Sequence, residues 1–460
     1  MNEQFFRRAF AVCPAALVLA TMVGTANGEE LRRRGMMGVQ IAPVTDENRE
    51  RLQLGSGSGI VVQGTMPGTP AEAAGLQAND VIVKIGEEAV ADFQGSLNLL
   101  RRYRAGDTLK LTVMRAGQPV AVEFALAERP KETSTEFEVM YDAAGSPGKQ
   151  VRTIVTRPKT EGRLPAILFI PSLMPASIEF AQPQQARHPY KQLVDRLTRA
   201  GFVTMRVERY GNGDSDGDDP RHPKLADDVL AFSDGLADLR AYEFVDPDRV
   251  FVFAQSLGTV IAPSLAREGK VRAVITYAAI ARPWQEHQTE TMTNRWKFEL
   301  VPEDELKSNV ENLRRFTELC LLKGESPQAI IEKHPELKET TGAMVQDEAF
   351  IMGSHFSFFQ ELAGMDLAGA WADVGVPVLA LWGECDFVAG KACSQLVESA
   401  VNKRHPGLAR FSTLPNIDHN FDTAEDAEES FLAGFGGTFN DNVIQAVADW
   451  TREVSKKATS

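Results

Sequence analysis

The stretch Val250-Phe251-Val252-Phe253-Ala254-Gln255-Ser256-Leu257-Gly258 decides the fold. Its first four residues form an apolar run, which predicts a buried strand, and the pattern from Leu257 to about Glu268 predicts a helix. A serine at a strand-to-helix turn with small flanking residues is typical of a nucleophile elbow, in which the turn exposes the hydroxyl. Ser256 is therefore the candidate nucleophile.

The residues around Ser256 fit such a tight turn unequally. Gly258 supplies the small residue that the turn needs, whereas Ala254 stands where a first glycine is usual. The start of a helix also favours developing negative charge through its N–H groups and dipole. The alternative interpretation is that Ser256 only caps this helix.

Strands and helices alternate from Phe137 onward. Strands are predicted at 137–143, 150–157, 166–170, 202–207, 250–253, 271–278 and 376–382, and helices at 189–200, 225–241 and 257–268. Such alternation predicts an α/β fold with a mostly parallel sheet and helices on both faces.

A serine hydroxyl needs a base, and the base needs a carboxylate. His419 lies in the loop 416–421 after a late strand-like segment, and Asp386 follows the apolar strand that ends at Trp382. The carboxyl ends of parallel strands share one edge of the sheet, where such folds place their sites. We therefore predict His419 as the base and Asp386 as its partner, with Glu384, Asp418 and Asp422 as competitors.

The order Ser256, Asp386, His419 and the elbow resemble the α/β-hydrolase superfamily over residues 137–456. The resemblance implies acyl transfer to water through an acyl-enzyme, with residues 281–372 as a helical cap. It also implies an oxyanion hole from the backbone N–H groups of Leu257 and Leu173, with Ser172 as the alternative to Leu173.

Residues 35–128 have a different pattern, with short strands separated by glycine and proline turns. The quoted motifs are Met37-Gly38-Val39, Pro67-Gly68-Thr69-Pro70-Ala71, Ala74-Gly75-Leu76 and Asp80-Val81-Ile82. They resemble a small, β-rich bacterial PDZ domain of the kind attached to periplasmic trypsin-like proteases.

The PDZ resemblance implies capture of a protein C-terminus. A peptide would add as a strand beside Val39 and Ile41, with its carboxylate held by N–H groups near Met37 and Gly38. The alternative is that this groove is empty or filled by the protein's own chain. The polar residues 129–136 are predicted as a linker to the hydrolase domain.

Residues 1–28 are predicted as a signal peptide. Arg7 and Arg8 precede an apolar run from Ala15 to Val23, and the small residues around Ala26 suit a cleavage site. The run is shorter than the roughly 20 residues of a spanning helix. We therefore expect a periplasmic or secreted protein without a membrane span; the paired arginines are partly similar to a twin-arginine signal, from which Phe6 departs.

Composition limits the other classes of partner. Aspartate plus glutamate is 63 and lysine plus arginine is 49, a formal net charge of −14, which disfavours nucleic acid. No Cys/His spacing resembles a zinc site, and we predict neither a metal nor a cofactor. After loss of Cys13, Cys320 would remain with Cys385 and Cys393, which either pair or stay as buried thiols.

Three functions compete on this sequence. The first is an exported serine hydrolase that cleaves a small ester or a related acyl bond. The second is a serine peptidase similar to the prolyl-oligopeptidase group, although no propeller precedes the catalytic domain. The third is a non-catalytic protein that binds peptides through the PDZ-like groove. The complete set of Ser256, Asp386 and His419 favours catalysis over the third function.

Overall fold

A computed structural model describes residues 31–456 except 53, 55–57, 269, 343 and 435–436. The predicted signal peptide therefore lies outside the described residues. Within them, no helix combines the length and the apolar character that a bilayer span requires.

The N-terminal region forms a six-stranded antiparallel sheet in the order β2-β3-β4-β6-β7, with β5 paired to β4. This confirms the small PDZ-like β-rich fold. The elements are β1 (Gly35–Met36), β2 (Val39–Pro43), α1 (Asp46–Arg51), β3 (Ile60–Thr65), α2 (Pro70–Ala73), β4 (Val81–Ile85), β5 (Glu88–Ala89), α3 (Phe93–Leu100), β6 (Thr108–Arg115), β7 (Gln118–Ala125) and β8 (Ala127–Glu128), the last paired with β1.

The C-terminal region contains an eight-stranded sheet in the order β19-β18-β14-β13-β11-β12-β10-β9. The strand β10 is antiparallel to both of its neighbours, and the other pairs are parallel. The strands are β9 (Phe137–Ser146), β10 (Lys149–Pro158), β11 (Leu164–Ile170), β12 (Val203–Val207), β13 (Val245–Gln255), β14 (Ala273–Tyr277), β18 (Val378–Gly383) and β19 (Ala409–Leu414). The predicted α/β-hydrolase fold is thus confirmed.

Helices cover both faces of this sheet because alternate side chains of its strands face opposite sides. In β11, Leu168 belongs to the apolar cluster that includes Phe232, while Phe169 belongs to the cluster that includes Leu193 and Val447. The helices on the sheet are α4 (Pro189–Arg199), α5 (Leu225–Ala241), α6 (Ala262–Arg267), α13 (Lys391–Arg404) and α15 (Asn442–Lys456), while the short helix α14 (Ala427–Ala433) contacts the insertion between β14 and β18.

The chain between β14 and β18 forms the insertion that was predicted as a cap. Its helices are α7 (Trp284–Phe298), α8 (Glu303–Thr317), α9 (Pro327–Lys333), α10 (Lys338–Thr341), α11 (Phe356–Ala363) and α12 (Leu367–Ala372). A three-stranded ribbon, which the sequence did not predict, joins them: β15 (Val345–Asp347), β16 (Phe350–Ile351) and β17 (Ser354–His355). Buried aromatic rings such as Trp296, Phe316 and Phe358 form the interior of the insertion.

Buried ion pairs join the N-terminal segment and the predicted linker to the hydrolase sheet. The Arg33 guanidinium lies 2.5 Å from Asp214 Oδ2 and 2.7 Å from Glu179 Oε1. In the linker, Glu132 Oε1 lies 2.7 Å from Arg206 Nη1. Despite its polar composition, the predicted linker is therefore packed against the hydrolase domain.

The structure shows whether Cys385 and Cys393 pair, which the sequence left open. Cys320, Cys385 and Cys393 are all buried free thiols. Cys385 Sγ lies 3.3 Å from the carbonyl oxygen of Ala424, to which it donates. Of the two alternatives for Cys385 and Cys393, the structure contains the unpaired one.

Candidate active site and peptide groove

Ser256, Asp386 and His419 meet at the carboxyl edge of the sheet. His419 Nε2 lies 3.2 Å from Ser256 Oγ, and His419 Nδ1 lies 2.9 Å from Asp386 Oδ2. Each residue is at most 9% exposed. The structure therefore brings together the three side chains that the sequence singled out, in an arrangement suited to proton transfer from the hydroxyl.

The backbone at Ser256 has the strained geometry of an elbow. Ser256 has φ 51°, in the left-handed region, at the start of the 3-10 turn Ser256–Val260. Holding a non-glycine residue there costs on the order of 1–3 kcal/mol, so such strain is found where the surrounding structure imposes it. A Cβ at Gly258 would lie 2.4 Å from the Pro171 carbonyl oxygen, which explains the glycine.

The loop after β18 fixes the Asp386 carboxylate. Asp386 Oδ1 accepts hydrogen bonds from the N–H groups of Val388 and Ala389 at 2.8 and 2.9 Å, which leaves Oδ2 for His419. Glu384, a competitor, is exposed to solvent. The backbone N–H groups of this loop thus orient the Asp386 carboxylate independently of its contact with His419.

The other two competitors shape the histidine loop. Asp418 Oδ1 accepts from the N–H groups of Asn420 and Asp422, and Asp418 Oδ2 accepts from the Ser430 hydroxyl at 2.9 Å. Asp422 Oδ2 in turn accepts from the Gly437 N–H. These carboxylates stabilise the turn that presents His419.

The electrostatics of His419 favour its charged form. Burial alone would lower the pKa of the imidazole, but the carboxylates of Asp386 and Asp418 outweigh it, so that the pKa is raised above its usual value. An imidazolium formed beside Asp386 is therefore stabilised where a proton from Ser256 would arrive.

Two backbone segments carry the predicted oxyanion donors: the residue after Ser256 and the loop after β11. Leu257 lies in the first turn of the helical segment, where N–H groups lack helical acceptors. The Leu173 N–H makes no hydrogen bond within the described part of the chain, and its carbonyl accepts from Arg209 Nη1 at 2.6 Å. The Ser172 N–H instead donates to the Tyr190 hydroxyl at 3.2 Å.

The PDZ-like groove lies along β2, an edge strand of its sheet. Strand β2 pairs with β3 on one side, and the strands that are described add no partner on the other. The N–H groups of Met37 and Gly38 likewise have no hydrogen-bond acceptor among residues 31–456, gaps excepted. Val39 and Ile41 line the same cavity. The four predicted residues thus share one groove.

Metal ligands are not grouped at either site. In the described ranges, no three His, Cys, Asp or Glu side chains are placed to hold an ion together. Near the triad, the Asp386 and Asp418 carboxylates already accept hydrogen bonds from backbone N–H groups.

Comparison with known families places both regions. A family model described as "PDZ domain" matches residues 35–126. A model described as "Serine aminopeptidase, S33" matches residues 187–420, half of the chain. The chain belongs to this family. It is an enzyme of the α/β-hydrolase type, a serine hydrolase with an N-terminal PDZ domain.

Individual relatives match only parts of this S33-family hydrolase. A probable periplasmic serine endoprotease, DegP-like, of Rhizobium meliloti is 32% identical over 25% of this chain and 23% of its own. The chain thus spans about a quarter of the length of such curated relatives. Among solved structures, Est1E from Butyrivibrio proteoclasticus is 14% identical with TM-score 0.43, covering 69% of this chain and 99% of that one. The Pyrococcus horikoshii acylaminoacyl peptidase is 10% identical with TM-score 0.42, covering 74% and 56%.

Gln255 is a site residue to which the sequence analysis of this S33-family hydrolase gave no role. Its Nε2 lies 3.3 Å from His419 Nε2 and 3.2 Å from the His419 carbonyl oxygen. Its Oε1 accepts from the Tyr190 hydroxyl at 2.8 Å. The available signal was its position beside Ser256 in the elbow, whereas nothing in the sequence pointed to Tyr190.

His287, in the cap helix α7, is a second residue of the S33-family hydrolase for which the sequence predicted no role. It is 5% exposed, and its buried Nδ1 has no hydrogen-bond partner among the residues that the structure describes. Burial lowers its pKa to about 4, and the nearby charge of His419 adds to this. Four residues later on the same helix, Thr291 donates to the Val388 carbonyl oxygen at 2.6 Å, which ties this part of the cap to the Asp386 loop.

Proposed function

We propose that this S33-family hydrolase cleaves an ester or related acyl bond, with Ser256 as nucleophile, His419 as base and Asp386 as its carboxylate partner. The observation that carries the proposal is the continuous set of contacts from Asp386 through the imidazole to Ser256, at 2.9 and 3.2 Å. Because a free hydroxyl is a weak nucleophile at neutral pH, this contact with a base is what the reaction needs.

In the first half of the reaction, Ser256 Oγ attacks the substrate carbonyl carbon while its proton moves to His419 Nε2. The electron pair of the C=O bond moves onto the oxygen and gives a tetrahedral oxyanion. When that pair returns, the bond to the leaving group breaks, and the leaving group takes the proton from Nε2. An acyl-enzyme on Ser256 remains.

In the second half, water replaces Ser256 as the attacking group. His419 Nε2 takes a proton from the water, the oxygen adds to the acyl carbon, and the tetrahedral oxyanion forms again. Its collapse breaks the bond to Ser256 Oγ, which regains its proton from Nε2. The N–H groups of Leu257 and Leu173 are our candidates for holding the oxyanion in both halves; a lost donor typically costs on the order of 10²–10³ in turnover.

Gln255 favours the tautomer that this chemistry requires. Its amide N–H points to His419 Nε2 from 3.3 Å, while the Tyr190 hydroxyl donates to its Oε1. A donor facing Nε2 stabilises the imidazole with its proton on Nδ1, next to Asp386. We therefore assign Gln255 a positioning role: it holds His419 ready to accept a proton.

A second candidate within the same chemistry is a serine peptidase, similar to the prolyl-oligopeptidase group. The description of the matching family model, a serine aminopeptidase, favours amide bonds as substrates. A groove that binds chain ends would also suit a peptide substrate. Ester and peptide cleavage differ here only in the leaving group that His419 protonates.

We further propose that the protein is exported, with residues 1–28 removed, and that its PDZ groove binds a protein C-terminus. Export is supported by the charged start and short apolar run of the sequence and by the periplasmic relative that matches the PDZ domain. Mass spectrometry of the protein from the periplasm or medium should show a mature N-terminus just after Gly28. A mature protein that retains Met1 in the cytoplasm would contradict export.

A fluorophosphonate probe tests the catalytic proposal, since it labels activated serines. We expect labelling of the wild type and of Ser399→Ala, a control at an exposed serine, but not of Ser256→Ala. Folded wild-type protein without any labelling would favour a non-catalytic binding protein. Rates on p-nitrophenyl esters and on aminoacyl or peptidyl anilides then decide between the esterase and the peptidase.

A further inference from the structure

The PDZ groove carries positive charge on an apolar floor. It is a cavity of about 330 Å³ lined by Val39 and Ile41 of β2 and by Leu97 and Leu100 of α3. The polar side chains of its lining are arginines, Arg34, Arg101 and Arg129, and the lining contains no carboxylate. The whole chain, by contrast, has a formal net charge of −14. The groove is thus locally opposite in sign to the protein.

Arg129 is the least neutralised of these arginines. Within the described ranges, its side chain makes neither an ion pair nor a hydrogen bond, although its carbonyl accepts from Arg33 Nη2 at 3.1 Å. Arg101 differs, because its guanidinium lies 3.4 Å from Asp219 Oδ1. A guanidinium has five N–H donors in a planar fork, which fits a carboxylate.

Among the described residues, no carboxylate pairs with the Arg34 guanidinium, which backbone carbonyls hold in place. Its Nη1 donates to the Arg101 carbonyl oxygen at 3.0 Å, and its Nη2 donates to the Ser215 carbonyl oxygen at 2.8 Å. Burial lowers its pKa to about 10, and the neighbouring arginines Arg104, Arg101 and Arg129 add to this. An anion in the groove would relieve this repulsion.

We propose that the groove selects peptides that carry glutamate or aspartate side chains in their last few residues, in addition to the terminal carboxylate. This deepens the peptide-binding role proposed above and rests on it. The edge of β2 would take the peptide backbone as an added strand, and the free N–H groups at Met37 and Gly38 would take its terminal carboxylate. The arginines would then be left for acidic side chains, with Arg129 the contact most open to a new partner.

Fluorescence polarisation with full-length Ser256→Ala protein tests this selectivity, because that variant removes the hydroxyl that would cleave a bound peptide. The probes are fluorescein-labelled decapeptides with a common C-terminal valine. They differ in having glutamate or glutamine at one of the four preceding positions. At 50 mM salt we expect glutamate to bind about tenfold tighter at the best position, as charge-assisted hydrogen bonds allow.

Variants at Arg129 test which side chain reads the acid. Arg129→Gln should reduce the tenfold preference to about threefold or less, and Arg129→Glu should reverse it in favour of the glutamine peptide. The matched control is Arg102→Gln, because Arg102 is exposed, pairs with Glu88 and does not line the groove. The control should keep the full preference.

The outcomes separate the selectivity from the underlying role. Equal affinity for glutamate and glutamine peptides at every position would overturn the acidic selectivity and leave peptide binding intact. If no peptide binds, or if amidation of the C-terminus leaves the affinity unchanged, the proposed capture of a protein C-terminus by the groove is wrong as well. Neither result bears on catalysis at Ser256, which the fluorophosphonate probe measures separately.

Discussion

The active site and the junction between the PDZ domain and the hydrolase domain, formed by Arg33, Asp214 and Glu179, both bury charged side chains. The charges at the two places face different partners. At this junction, Arg33 donates hydrogen bonds to two carboxylates, of Asp214 and Glu179, and to two backbone carbonyls. At the active site, His419 is paired with Asp386 on one nitrogen only and faces the Ser256 hydroxyl with the other. Burial and pairing of charge are common to both; a reactive group in hydrogen-bond reach is not.

A buried ion pair is therefore weak evidence for function. The desolvation of two charges is costly, and pairs such as that of Arg206 and Glu132 mainly fix the relative position of segments. The burial and pairing of charge at His419 have another consequence, because an imidazole gains and loses a proton near neutral pH whereas an arginine stays protonated. Substitutions at the two places should therefore fail in different ways.

The largest expected effect is that of His419→Ala on turnover. Without the imidazole, no base contacts Ser256 Oγ, and kcat should fall by about 10⁶-fold, as is typical when a member of such a triad is removed. The measurement is ester turnover together with far-UV circular dichroism and Tm. His405→Ala, at a histidine outside the site, is the control and should keep its activity. Near-normal turnover of folded His419→Ala protein would remove this residue from the mechanism.

The next largest effect is that of Asp386→Asn. The amide cannot stabilise the imidazolium and favours the wrong tautomer, so kcat should fall by about 10⁴-fold with little change in KM. Asp418→Asn is the informative comparison, because Asp418 accepts its hydrogen bonds from backbone N–H groups and a serine rather than from the ring. An equal loss of kcat in both variants, with unchanged Tm, would mean that Asp386 has no special role.

Arg33→Met should act on stability instead of turnover. It leaves the buried carboxylate of Asp214 and the partly buried carboxylate of Glu179 with one cation fewer, although Asp214 keeps a contact of 3.3 Å with Arg152. Breaking a buried pair typically costs about 3–5 kcal/mol. We expect a lower Tm in thermal denaturation, with kcat of the remaining folded protein within about threefold of wild type. A normal Tm with a large loss of kcat would contradict this division of roles.

The sequence predicted the parts of the site that depend on local pattern. The strand-turn-helix around Ser256 and the late loop of His419 are visible as short motifs, and parallel strands bring their carboxyl ends to one edge. Four carboxylates were candidates for the partner of His419, and Asp386 was preferred because it lies at the end of a strand. The α/β architecture followed from the alternation of strands and helices, and the PDZ-like and α/β-hydrolase folds were implied by the resemblance of the quoted motifs to those families.

The sequence could not predict contacts that tertiary packing creates. Tyr190 reaches Gln255 from a helix 65 positions earlier in the chain, and no local pattern marks that pair. No role was predicted for His287, because its position in the cap does not match that of the late histidine loop, yet packing buries it near the charge of His419. The ribbon β15–β17 was missed because its strands are two or three residues long.

The smallest expected effect is a shift of the pH profile of kcat/KM. Measured in variants of the active site and of the Arg33 junction, this shift distinguishes the two regions directly. Because the base must be unprotonated, kcat/KM should fall about tenfold per pH unit below the pKa of His419. The Asp386 carboxylate raises that pKa against the opposing effect of burial, so the midpoint should lie above the ordinary histidine value of about 6.5. Asp386→Asn should lower the midpoint, since it removes the charge that raises it, while Arg33→Met should leave it unchanged. A wild-type midpoint at or below the ordinary value, or an equal shift in both variants, would mean that His419 does not titrate under the control of Asp386.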